Sequence, residues 1–380
     1  MEHVVLPLTM LFVCLFSPKL GQSEIEKDIT ELWNLVKSMG DTVVVDCIVQ
    51  KGLPYPATYI GPGKAREATD YLINHSVDVI TVNGILTPNQ KFSLTKMFWD
   101  INPKIEVWDR VDLILAIFSR HAHTTEAKLQ ISLARMRHMG PRIFGMGMVL
   151  SRQAGGIGTR GIGETNTELM KRHWKREMKR VTDAILHLTD IRRKQIENRQ
   201  NMGLQTVSLV GYTNAGKTTL FNLLTHKKNL VENTLFATLD SAVGKIYIPQ
   251  LARVVVVSDT IGFIKDLPPE LIEAFNSTLL ESISADVVLH VIDASDPDMF
   301  EKIDVVEGIL KELKILPEKV VLVFNKIDAA PALDREKIIK RTVPYPYVFL
   351  SAITEEGVDA LLATILPKLK TSTGLSPDVI

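Results

Sequence analysis

Two cysteines, Cys14 and Cys47, are too few in 380 residues for a disulfide framework, and no Cys/His spacing reads as a metal site. That scarcity fits a reducing compartment. Net charge is also lacking: Lys plus Arg is 44 and Asp plus Glu is 44, which argues against a uniformly basic polyanion binder. No long hydrophobic run is present. The apolar stretch from Val4 to Phe16 is 13 residues, short of the roughly 20 that span a bilayer though long enough for a signal-peptide core. Only Met1, Glu2 and His3 precede it, with no Lys or Arg, which argues against export. Residues 1–23 are therefore expected to be an atypical apolar leader or to hold a buried strand. What is present is ordinary for a globular protein: 46% hydrophobic and 23% charged residues exclude collagenous and disordered classes. The length calls for two or three domains.

The zero charge is an average over unlike segments. Residues 1–119 hold 10 basic and 14 acidic side chains, residues 120–200 hold 17 and 7, and residues 201–380 hold 17 and 23. A block of +10 between regions of −4 and −6 points to a module facing a polyanion.

Residues 24–40 space Ile25, Ile29, Leu32, Leu35 and Val36 at helical intervals and end at Gly40. Apolar runs at 42–48, 77–82 and 105–108 alternate with helical stretches at 64–75 and 89–99, so residues 24–119 are predicted to be a small α/β domain. Gly61-Pro62-Gly63-Lys64 fits neither glycine fingerprint and is read as a turn opening a helix. In 120–202, Trp174, Met178, Val181, Ile185 and Leu188 step by 4, 3, 4 and 3, and Leu129, Leu133 and Met136 repeat the pattern. Two such seams predict an antiparallel helical hairpin. Five glycines within 155–163 put a mobile loop at its tip, flanked by Arg152 and Arg160. From residue 203 to 370, apolar strands at 206–210, 253–258, 287–292, 320–324 and 347–350 recur with helical spacers, the pattern of a doubly wound α/β sheet. Residues 371–380 are left as a tail.

Gly211, Tyr212, Thr213, Asn214, Ala215, Gly216, Lys217 and Thr218 form G-x-x-x-x-G-K-T, after a strand and before a helix, with Thr219 next. In that setting backbone amides wrap phosphates at a helix N-terminus. Lys217 is expected at the β- and γ-phosphates and Thr218 on Mg²⁺. Asp259, Thr260, Ile261 and Gly262 form D-x-x-G, with Asp259 expected to hold Mg²⁺ through water and the Gly262 amide to sense the γ-phosphate. Phe236, Ala237, Thr238, Leu239 and Asp240 place a threonine 20 residues after Thr218, where Thr238 can complete the metal shell. Asn325, Lys326, Ile327 and Asp328 end another strand; the Asp328 carboxylate can accept both hydrogens that guanine donates from N1 and N2. Ser351, Ala352 and Ile353 follow the next strand, where a backbone contact to guanine O6 is expected. Phe263 stands where many GTPases carry a water-orienting glutamine, so no catalytic side chain is assigned, and slow turnover without a partner is predicted.

These motifs resemble a translation-factor-class GTPase domain. The longer strings GGIGTRGIGET, GYTNAGKTTLFN, FATLD and DTIGFI resemble the HflX family of ribosome-associated GTPases, with coverage from about residue 24 to 370. The resemblance implies a Mg²⁺-dependent GTPase that binds GTP and GDP, associates with the large (50S) ribosomal subunit and its rRNA, is stimulated there, and acts in ribosome splitting, rescue or biogenesis. It also implies that the hairpin faces RNA, with Arg152, Arg160, Lys171, Arg172, Lys175 and Arg176 as candidate contacts. A monomer in the cytoplasm is expected, with room for weak membrane association and a membrane-associated fraction. The apolar start departs from the family, and the chain stops soon after the helix at 359–369, so the small C-terminal domain of some relatives is not expected. The rival reading is a membrane-peripheral regulatory GTPase docking through residues 4–16. An ATP-driven RNA remodeller is a second rival that no second phosphate loop supports.

Overall fold

The computed structural model describes residues 8–153, 160–227, 242–265, 271, 275–342 and 344–371. The chain divides into two compact units, one of Met1–Arg120 with Lys128–Ala184 and the other of His121–Ala127 with Ile185–Ile380.

The first unit holds a parallel four-stranded sheet in the order β2-β1-β3-β4, from β1 (Leu8–Phe16), β2 (Thr42–Lys51), β3 (Val79–Val82) and β4 (Glu106–Trp108). Helices α1 (Gln22–Lys37), α2 (Pro62–Asn74), α3 (Pro88–Trp99) and α4 (Arg110–His121) connect and follow the strands. From Leu8 onward the apolar run read as a leader or a buried strand is strand β1, paired on both edges. From Met10 to Cys14 its residues are at most 1% exposed. A parallel strand covered on both faces needs apolar side chains at every position rather than at alternate ones, and that demand produces the same pattern as a signal-peptide core. Gly61 precedes α2 with Pro62 as its first residue, the turn-to-helix start read from the sequence.

Asp109 and Asp112 cap α4 reciprocally, each accepting the other's backbone N–H at 3.0 Å. His138 lies 3.0 Å from Asp109, and the three side chains bring their ligand atoms within 4.8 Å of one another. The grouping has the donors of a metal site, but a cation is already there: the Lys91 ammonium donates to Asp112 at 2.6 Å, while Leu86 N–H donates to Asp109. It is a structural ion-pair network.

Helices α5 (Thr125–Gln153) and α6 (Arg160–Asn201) supply the predicted hairpin. Arg192 pairs with Glu126 at 2.8 Å, and Gly140 stands so close to Trp174 that a Cβ there would lie 2.9 Å from its indole nitrogen. As numbers rise along α5 they fall along α6, as antiparallel packing requires. Val181 and Ile185 of the predicted seam are buried. Helix α6 begins at Arg160 and takes in Gly161 and Gly163, which the sequence placed in the loop. First-turn residues make few intrahelical bonds from their own amides, so glycine costs little there. Residues 154–159 lie outside the described residues. The sequence-based boundaries near 119 and 202 make the hairpin its own module, whereas the compact units divide α6 after Ala184.

The second unit holds a six-stranded sheet ordered β10-β9-β8-β5-β7-β6. Its strands are β5 (Thr206–Gly211), β6 (Ala242–Ile248), β7 (Arg253–Asp259), β8 (Val287–Asp293), β9 (Val320–Asn325) and β10 (Tyr347–Phe349). All pairings are parallel except β6 with β7, so the sheet is mixed at one edge. Helices α7 (Lys217–Thr225), α8 (Asn276–Ile283), α9 (Met299–Glu312), α10 (Arg335–Thr342) and α11 (Val358–Thr371) accompany it. Alternate residues of β5, β8 and β9 pack with Leu220, Phe221, Leu361 and Ile365 in one core.

Near the end of α6, Arg199 donates to both carboxylate oxygens of Glu281 on α8, at 2.6 and 2.8 Å, with the Glu281 side chain 4% exposed. Removing one member strands a desolvated charge. Glu281→Ala is expected to lower stability by about 3 kcal/mol, read as a lower denaturant midpoint for the second unit; an unchanged midpoint would show the pair to be solvated.

Candidate nucleotide site

Strand order reverses about β5: the next strands in sequence, β6 and β7, lie to one side and β8, β9 and β10 to the other. The carboxyl ends of strands at such a reversal open a crevice, and the phosphate-loop, D-x-x-G, Asn325–Asp328 and Ser351–Ile353 motifs sit on these ends.

Gly211 and Gly216 are required by space as well as by backbone angle. Gly211 has φ 148° and a Cβ there would meet the Val291 carbonyl at 2.2 Å; Gly216 has φ 91° and its Cβ would meet the Asn325 amide at 2.2 Å. Asn214 adopts a left-handed φ of 61° between them. Gly216 caps α7, so Lys217, Thr218 and Thr219 begin the helix with their amides facing the loop. Lys217 is 6% exposed and its ammonium donates to the carbonyls of Gly211 at 3.2 Å and Tyr212 at 2.9 Å. Burial pushes its pKa down to about 8, against an opposing pull from the Asp259 carboxylate. A loop curled around a desolvated cation is chemically prepared for a polyanion.

Asp259, 0% exposed at the end of β7, accepts the Thr218 hydroxyl at 2.7 Å. A hydroxyl and a carboxylate are hard oxygen donors of the kind Mg²⁺ takes, with the remaining positions left to phosphate and water. The pair therefore fits that ion. Thr260 donates its hydroxyl to the Leu209 carbonyl at 2.7 Å, anchoring the D-x-x-G turn to β5. Gly262 lies against the loop, where a Cβ would stand 2.8 Å from Thr213 Cγ2 and 3.0 Å from Lys217 Nζ. Ile261 and Phe263 are buried, Phe263 to 1% exposure, so the ring at the glutamine position packs inward and orients nothing.

On the opposite side, Asn325 braces two loops. Its amide donates to the Ala215 carbonyl at 2.9 Å and its carbonyl accepts Ala352 N–H at 2.9 Å. The Ala352 amide expected at guanine O6 is thus engaged with Asn325, and reaching a base requires that bond to be shared or exchanged. Ser351 is buried and its hydroxyl accepts the amides of Ile353 at 3.3 Å and Thr354 at 3.1 Å, while Ile353 itself is 73% exposed. Asp328 is exposed and makes no hydrogen bond among the described residues. Lys326, with φ 62°, donates to Asp293 at 2.7 Å. Asp293 was missed in the sequence reading; a carboxylate ending a buried strand beside the crevice is the signal that could have raised it. Phe236, Ala237, Thr238, Leu239 and Asp240 lie outside the described residues.

Three family models match in succession. One described as GTP-binding GTPase N-terminal covers residues 26–119, GTP-binding GTPase Middle Region covers 121–199, and 50S ribosome-binding GTPase covers 206–326. GTPase HflX of Caldanaerobacter subterraneus subsp. tengcongensis is 38% identical over 349 residues, spanning 91% of this chain and 78% of that one. The chain belongs to the HflX family of GTPases. GTPase HflX of Escherichia coli is 35% identical over 90% of this chain and 79% of its own, and that of Methanocaldococcus jannaschii 34% identical over 92% and 84%. Among solved structures, SsGBP in complex with GDP covers 96% of this chain and 99% of its own at 23% identity and a TM-score of 0.51, a likeness of fold. As an HflX-family member the protein is a GTP-binding GTPase, a hydrolase acting on GTP. No described helix is long and apolar enough to cross a membrane.

Proposed function

We propose that this HflX-family GTPase is a Mg²⁺-dependent switch that works on the large (50S) ribosomal subunit, in splitting, rescue or biogenesis. One observation carries the reading: the cationic stretch of α6, where Arg172, Lys175, Arg176, Lys179 and Arg180 are exposed in the most basic of the chain's three segments. Such a surface suits phosphate backbones of RNA. Arg152 and Arg160 lie on α5 and α6 beside the same hairpin tip, and Lys171 is half-buried one turn before Lys175.

In this reading Lys217 and the loop amides hold the β- and γ-phosphates, Thr218 and Asp259 hold Mg²⁺ with Thr238, and Gly262 reports the γ-phosphate. Bound Mg²⁺ supplies neutralisation of charge on the phosphates. Asp328, with Asn325 and Ala352, selects guanine. Since Phe263 cannot orient water, the partner supplies or positions the missing group, and turnover alone is slow. The alternative of a membrane-peripheral GTPase rested on residues 4–16, and within that segment Met10 to Phe16 are buried in β1.

Charge reversal at Lys171, Arg172, Lys175 and Arg176 is expected to weaken co-sedimentation with large subunits by about tenfold or more and to flatten its salt dependence by about three to four in log–log slope. Unchanged binding and slope would make α6 a solvated face. GTP turnover measured with and without large subunits tests the activation; comparable rates remove it.

A further inference from the structure

Strands β5 and β7 pair in steady register from Thr206 with Val256 to Leu209 with Asp259. The two chains then part and meet again one residue out of step, at a single parallel bridge between Tyr212 and Phe263. Phe263 N–H donates to the Gly211 carbonyl at 3.1 Å and Thr213 N–H donates to the Phe263 carbonyl at 2.8 Å. A third bond closes the contact: the Tyr212 hydroxyl accepts Lys265 N–H at 2.8 Å. Of the three, only this one depends on a side chain.

The Tyr212 ring is 8% exposed, with the Lys302 ammonium 5.0 Å from its centroid. Its hydroxyl is engaged with the segment after D-x-x-G, while its carbonyl, within the phosphate loop, accepts the Lys217 ammonium at 2.9 Å. Phe263 and Ile264 are both 1% exposed, so the segment from 262 to 265 is held by backbone bonds outside and packing inside.

We propose that Tyr212 is a positioning residue for GTP hydrolysis, its hydroxyl setting where the backbone of 262–265 lies beside the γ-phosphate. The inference rests on the phosphate-loop reading of Gly211–Thr218 and is independent of any ribosomal role. Phenylalanine at 263 makes it matter. Where a glutamine side chain could rotate to meet water, here the main chain has to be in place already, and an error on the order of 1 Å in a reacting geometry costs about a hundredfold. Because the two backbone bonds remain when the hydroxyl is lost, a partial effect is expected.

The test compares wild type with Tyr212→Phe and Tyr212→Ala in the full chain without ribosomes. It measures affinity for fluorescent GDP, single-turnover GTP hydrolysis, and hydrogen exchange at the amides of 263–265. Tyr212→Phe keeps the ring and is expected to hold GDP affinity within about twofold, to slow hydrolysis by about tenfold, and to speed exchange at Lys265. Tyr212→Ala removes the ring as well and is expected to lose affinity too. Unchanged hydrolysis in Tyr212→Phe with faster exchange at Lys265 would overturn the proposal, since the tie would exist without serving the reaction. An equal fall in affinity and rate would also overturn it, by making the hydroxyl structural. Wild type that fails to bind GDP would sink the phosphate-loop reading itself, an outcome distinct from the other two.

Discussion

Lys217→Ala is expected to weaken GTP binding by about a hundredfold or more, because a desolvated, charge-assisted contact to phosphate is worth about 3 kcal/mol or more. The protein itself should remain folded. In the free protein this ammonium is buried against two carbonyls and held near pKa 8 by the cost of its desolvation, so it is a burden on the fold that the nucleotide relieves. The sign follows directly. The folded pKa lies below the ordinary lysine value of 10.5, so the unfolded chain holds more protons between the two values and this group's contribution to stability rises with pH there. Lys217→Ala abolishes that rise. GTP, which favours the charged form, should bind the wild type less tightly as pH climbs through about 8 and should take up a proton as it does so. Calorimetric titration in buffers of different ionisation enthalpy measures both. Equal GTP affinity in the variant would remove Lys217 from the site.

Asp328→Asn is expected to exchange one base for another. A carboxylate accepts from guanine N1–H and from the exocyclic amine together. An amide in its place sets a donor against a donor, and a site built for such a pair rejects the mismatch strongly. GTP affinity should fall by about a hundredfold or more. Xanthosine triphosphate carries a carbonyl where guanine has the amine, and should gain by the same geometry. Competition between the two nucleotides measures the exchange. Retention of guanine preference would place base selection elsewhere. Asp328 suits the experiment because it is exposed and supports nothing among the described residues, whereas Asn325 braces both Ala215 and Ala352 and its loss would disturb the loops themselves.

The motifs were legible because their demands are local. A phosphate loop needs its glycines within six positions, and an acidic residue at a strand end shows in a run of valines such as Val254–Ser258 followed by Asp259. What was not legible depends on partners far along the chain. Lys326 finds Asp293, Arg199 finds Glu281, and Tyr212 finds Lys265; nothing in the spacing of either member announces the other. Strand β6 was missed for a different reason. It is an antiparallel edge with several exposed positions, so its apolar content is thin. The reading of residues 1–23 stayed divided between a leader and a buried strand, since a strand buried on both faces and a membrane-directed segment make the same demand on composition.

Strand β1 has a consequence for how the chain is made. It emerges from synthesis before every other described element, yet its two neighbours, β2 and β3, are completed only at Lys51 and Val82. Until then an apolar segment with both hydrogen-bonding edges open has no template, the condition under which nascent chains aggregate. Parallel pairing closes through long crossovers, which delays it further. Trimming the first twenty residues is accordingly a deletion from the middle of the sheet. It leaves β2 and β3 about 10 Å apart, two strand spacings, with no strand between them.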